Sequence, residues 1–328
     1  MGGIMLQILK SLFGMVNSGG YPATLVAEAI ERAIDGTDPW LRGISGYQRR
    51  LRPAVIRSID HVVSLVNDLP APLDMCLASY DVEPQLKTYF MSTSEMKKVL
   101  SSDRSLAEFL RGPRRDASRI TALMTMVKQE GVVLGAELAG DIVMRDVPRT
   151  SITFDAHRFL DPADDEQETR HRLMQRAFDH LLSQALGLIS AAKSERHDLE
   201  RRRSLLEAKL NLLQRVGWAF EGDAASAQTP AADLHHDLEQ IEKKLLEIGG
   251  DDGMLEFYLD IVLGVLNRPH DYLWGRSETV IVDRLGIKRN EPAFDAPELT
   301  IDEVWDAEGQ SLVTLLVALS GDEIRGLA

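Results

Sequence analysis

Among the residues of this sequence, Asp155 and His157 have the types and spacing best suited to chemistry. They sit two apart in a segment, residues 151–159, that alternates in polarity. Ile152, Phe154 and Ala156 fall on one side, and Ser151, Thr153, Asp155 and His157 on the other, the period of a half-buried strand. A carboxylate and an imidazole on one face can meet a ligand together, with Asp141 and Arg145 approaching from a neighbouring strand. That pairing suits a metal-assisted hydrolase or a small-ligand sensor. A surface-paired polar face is the simpler account of the same residues.

Other candidates are plainer. Asp60-His61 and Asp179-His180 are adjacent on helices and point apart. His235-His236 lacks identifiable further ligands for a metal. The acids of Asp161-Pro162-Ala163-Asp164-Asp165-Glu166 precede a helix and suit its positive end. Leu273-Trp274-Gly275-Arg276 offers a planar surface beside a turn, where a packed tryptophan is the default. Cys76, the only cysteine, lies in an apolar run and reads as a small hydrophobe; one cysteine allows no internal disulfide. No phosphate loop, dinucleotide-binding glycine pattern, HExxH, paired CxxC, GxSxG or EF-hand loop is present. The motifs thus leave the question of an enzyme open, and they imply no cofactor and no metal.

Charge narrows the partners. The chain carries a formal net charge of -14 over 328 residues. Residues 1–120 are slightly basic, about +2, and the remainder holds all of the acidity, which argues against nucleic-acid binding. The basic clusters Arg49-Arg50-Leu51-Arg52 and Arg111-Gly112-Pro113-Arg114-Arg115 have no interleaved aromatic side chains and read as solvated faces. No stretch is long and apolar enough to span a membrane, and no signal peptide is evident, so a cytoplasmic location is expected.

The elements that must position these residues begin with an amphipathic helix over residues 4–16, built on Ile4, Met5, Ile8, Leu9, Leu12, Phe13 and Val16. Packing on the protein or on a partner chain is preferred to peripheral membrane contact, because its polar face carries only Lys10. Pro22 and Pro53 each open a further helix, and Pro70 and Pro72 close the second. Shorter helices are expected over 84–91, 94–100, 103–110 and 116–129. Strands follow at 132–139 and 151–159, pairing across 140–150.

From 166 to 219 the pattern predicts one helix, roughly 80 Å long at 1.5 Å per residue. Its outer half carries Leu199, Leu206 and Leu213, seven apart. A tip at 221–232 reads as flexible. Leu234, Leu238, Ile241, Leu245 and Ile248 then form a heptad seam that folds back on residues 199–216 as an antiparallel pair. A helix over 254–266 returns to the core, followed by short strands at 272–274, 279–285, 298–305 and 311–319.

The expected class is α+β and predominantly helical. It combines a helical region at 1–130, a small, mainly antiparallel sheet from 131–165 and 268–328, and a long helical hairpin at 166–267 inserted between strands. The seven seam residues Leu199, Leu206, Leu213, Leu234, Leu238, Ile241 and Leu245 are the expected interaction residues. The expected function is a non-catalytic interaction or scaffold protein whose partner is another protein or a second copy of the chain.

Overall fold

The computed structural model describes residues 20–139, 142–216, 224–249, 253–283, 285–293 and 296–327. The expected helix at 4–16 lies outside them. By internal contacts the chain forms two units, one of Ile59–Phe178 with Pro269–Ala328, the other of Pro22–Ser58 with Asp179–Arg268.

The fold is α+β, with one mainly antiparallel sheet and a long antiparallel helical hairpin inserted between its strands. The first unit holds the sheet. Its strands are β1 (Leu73–Met75), β2 (Arg119–Ala139), β3 (Ile142–Ala163), β4 (Leu273–Ile281), β5 (Glu298–Asp306) and β6 (Ser311–Ser320). Their order is β3-β2-β6-β5-β4, and β1 runs parallel to β6 through Leu73–Met75 against Val317–Leu319. On one face Ile120, Ala122, Met124 and Met126 join Val313, Leu315, Val317 and Leu319. Helices α3 (Pro84–Tyr89), α4 (Thr93–Ser102) and α5 (Arg104–Arg111) cover that face with Leu86, Phe90, Met96, Leu100 and Leu106. Ser92 and Asp103 cap the last two, accepting from the backbone N–H of Glu95 and Leu106. The short closing helix α9 (Gly321–Leu327) adds Ile324.

Five local expectations are corrected. Residues 119–129 are strand, not helix. Every residue from Ile120 to Met126 is buried, so both faces of this central strand are covered and the alternation that marks a half-buried strand disappears. The strand at 132–139 is the far end of β2, and it pairs with residues 142–150 (Val132 against Thr150), while 151–159 pairs with earlier residues of β2. The two expected strands at 272–274 and 279–285 are one strand, β4.

Pro53, fourth, does not open its helix but lies inside α2 (Tyr47–Asn67). Leu51, in the turn before it, is fully buried. That burial is worth about 2 kcal/mol and offsets much of the roughly 3 kcal/mol that an interior proline costs. Fifth, the expected flexible tip is helical from Ala224 onward. Five alanines between 224 and 232 supply the propensity and carry Pro230 within the helix.

The second unit is helical. It comprises α1 (Ala23–Asp35), the first half of α2, most of α6 (Glu166–Val216), α7 (Ala224–Glu247) and α8 (Met254–Asn267). Leu25, Val26, Ala29, Ile30, Ala33 and Ile34 are the buried stripe of α1. Gly36 follows it, and a side chain there would press on Leu182 of α6 at 3.0 Å. Ser58 donates to the Leu266 carbonyl at 2.8 Å, tying α2 to the end of α8. Arg50 forms ion pairs with Glu256 and Asp260 on α8. Lys193 reaches Asp38 at 2.8 Å and lies over the Tyr258 ring, fixing α6 just before the hairpin begins.

Candidate interaction surface

The hairpin is built from two apolar stripes. Leu199 of α6 packs with Leu245 of α7 and Ile248 just beyond it, and Ala192, Ile241 and Phe257 close the cluster. The three central side chains are buried. Arg196 and Glu200, at 2.8 Å, and Arg203 and Glu207, at 3.7 Å, pair along α6 beside the seam.

Burial falls away along the pair. Leu206, Leu234, Leu238 and Ile241 are only half-buried. Leu213 is 41% exposed, and Leu205 and Leu212, which no seam pattern selected, are 57% and 60% exposed. These two are seven residues apart and so share one side of α6, adjoining the seam. Leu205 borders a groove of about 400 Å³, lined also by Arg202, Leu206 and Lys209 of α6 and by Asp237, Gln240, Ile241 and Lys244 of α7. The sequence pattern therefore located the seam, but the outer apolar face lies one position beside it. The signal for that face was the doublets Leu205-Leu206 and Leu212-Leu213, in which only one leucine of each pair can face the seam.

Asp155 and His157 occupy a different environment from that of a simple strand. Between the pairs Thr125–Arg158 and Val127–Asp155 the register shifts, and Ala156 has a positive φ of 56°. Two residues, Ala156 and His157, thus stand opposite one, which is a β-bulge and breaks the alternation. Asp155 is exposed. The His157 ring stacks on Phe90 with centroids 4.5 Å apart, and its Nε2 lies 2.8 Å from the Tyr89 carbonyl. Burial pushes its pKa below the ordinary 6.5, against the opposing pull of that carbonyl. The imidazole links the bulge to α3. Asp141 and the side chain of Arg145 lie outside the described residues.

The remaining candidates have structural partners. Arg176 holds Asp161 at 2.7 Å, Arg114 holds Asp164, and Arg170 holds Glu166 at 2.8 Å. His236 lies 2.9 Å from Gln240 on its own helix. Among the described residues, no three His, Cys, Asp or Glu side chains are grouped to hold a metal ion. Trp274 stacks across the strands on Trp305, with centroids 6.5 Å apart. It edges a cleft of about 300 Å³ between α2 and the sheet, lined also by His61, Asp68, Arg276 and Asp302.

Sequence reasoning missed two buried charge arrangements. Lys128 continues the inward series Met124, Met126 and meets Glu303 at 2.6 Å and Glu278 at 2.9 Å. Burial acts to lower the Lys128 pKa, but its bonds to Glu303 and Glu278 outweigh that and hold it above the ordinary value. Arg170 donates to the carbonyls of Val66, Leu69 and Pro70, satisfying acceptors left open where α2 ends. Both depend on partners a hundred or more residues away in the sequence.

Comparison with protein-family models, with curated proteins and with solved structures finds no match.

Proposed function

We propose that this chain is a non-catalytic protein-interaction or scaffold protein, and that the hairpin of α6 and α7 is its binding element. The carrying observation is the exposure of Leu205 and Leu212 on a helix whose seam leucine Leu199 is buried, with Leu205 lining an open groove. Covering a leucine fully is worth about 1.5–3 kcal/mol, so an amphipathic helix laid on this face gains several kcal/mol from these two side chains alone. The flanking Arg202, Lys209 and Asp237 supply a polar rim that sets register. The sheet site near Asp155 and His157 has less in its favour, because the imidazole is already engaged by Tyr89 and Phe90.

The test is recovery of binding partners from the host with full-length bait, compared with bait carrying Leu205→Glu and Leu212→Glu. Loss of the recovered partners with unchanged circular dichroism is expected. Identical recovery by both baits contradicts the proposal.

A further inference from the structure

We infer that the occupant of this face is an acidic amphipathic helix of a partner protein, whose carboxylates meet Arg202, Lys209 and Lys244. The inference rests on the interaction reading above and gives its partner a chemistry. Its ground is the charge of the groove itself. Three cations, Arg202, Lys209 and Lys244, line it against one acid, Asp237. The whole chain has a net charge of -14, so the lining is opposite in sign to the molecule that carries it.

These cations are uncommitted. Arg196 and Arg203 of the same helix hold Glu200 and Glu207 one turn further on. Among the described residues, none of Arg202, Lys209 and Lys244 is held in an ion pair. The sequence explains Lys209. Its neighbours one turn away in either direction are Leu205, Leu206, Leu212 and Leu213, so no acid of its own helix reaches it. A cation therefore stands between the two exposed leucines, Leu205 and Leu212. A partner that covers both leucines also covers Lys209, and burying an unpaired ammonium is costly. The partner must bring a carboxylate to that place.

Arg202 and Lys244 make the same demand nearer the base of the hairpin. Leu199 packs on Leu245 between the antiparallel helices. Arg202 is three residues beyond Leu199, and Lys244 is one before Leu245. That sets them within about 3 Å of one level, on opposite walls of the groove. One carboxylate placed there serves both. Lys209 is seven residues beyond Arg202, a rise of about 10 Å. A helix lying along the groove therefore matches it with two acids about seven residues apart on one face and apolar side chains between them, over Leu205. A second copy presenting this same groove sets cations against cations and is disfavoured.

Fluorescence anisotropy on the full-length chain, at about 1 to 300 μM protein, reads this out. The probe is a labelled, alanine-rich helical peptide with two Glu seven apart and leucines on the same face. Its counterpart has Lys in place of each Glu. The Glu peptide is expected to bind at least about tenfold tighter, although the net charge of the chain favours the Lys peptide. The double variant Lys209→Glu, Lys244→Glu is expected to reverse the preference. A gain of binding by the Lys peptide is a result that damage to folding does not produce. Equal binding of the two peptides, a preference of the parent for Lys, or binding of neither overturns the inference. So does a dimer of the parent chain that Leu205→Glu dissolves. If host partners lost through Leu205→Glu and Leu212→Glu are still recovered by the Lys209→Glu, Lys244→Glu bait, the acidic-helix inference falls alone and the interaction reading stands.

Discussion

Lys128 shows what a single buried group does to this sheet. Glu303 is buried and Lys128 nearly so, and the ammonium holds both Glu303 and Glu278. Replacing Lys128 by Met leaves a carboxylate in the core without its counter-charge, which costs about 3–5 kcal/mol. Urea unfolding of Lys128→Met is expected to show that loss, and the double variant with Glu303→Leu is expected to recover most of it. His157 makes a separate prediction in pH. Its folded pKa lies below the unfolded one because burial disfavours the charged ring. The stability it contributes is complete above the unfolded value of 6.5 and is lost as pH falls through the folded pKa. Chemical denaturation between about pH 7.5 and 5 is expected to show a decline that His157→Gln reduces, and an unchanged slope contradicts the assignment.

At the scale of the elements, seam and outer face separate by burial. Leu199 is 6% exposed and Leu212 is 60% exposed. Leu199→Ala is expected to cost about 2–3 kcal/mol and to raise hydrogen exchange across residues 192–213 and 234–248. Leu212→Ala is expected to leave both unchanged, within about 0.5 kcal/mol. Equal effects of the two substitutions contradict the division between them.

The hairpin was legible in the sequence because its two stripes repeat at helical spacing over long runs, and the strands β5 and β6 because a turn-rich loop separates them. The beginning of β2 was hidden by burial on both faces. The bulge at Ala156 was hidden as well, since an alanine at positive φ carries no sequence mark of the kind glycine does. Asp155 and His157 therefore looked like neighbours on one strand face, and the structure separates their surroundings. The exposed apolar face at Leu205 and Leu212 was hidden in leucine doublets, because spacing alone does not say which member faces the seam.

For the whole molecule, the proposed interaction surface lies on the hairpin. Among the described residues, no helix is long and apolar enough to cross a membrane. The most direct measurement places a photo-crosslinking side chain at position 205 or 212 in the host cell, with position 104, an exposed arginine on α5, as control. Discrete adducts at 205 and 212 and none at 104 are predicted. No adduct at the hairpin, or equal labelling at all three positions, contradicts the account.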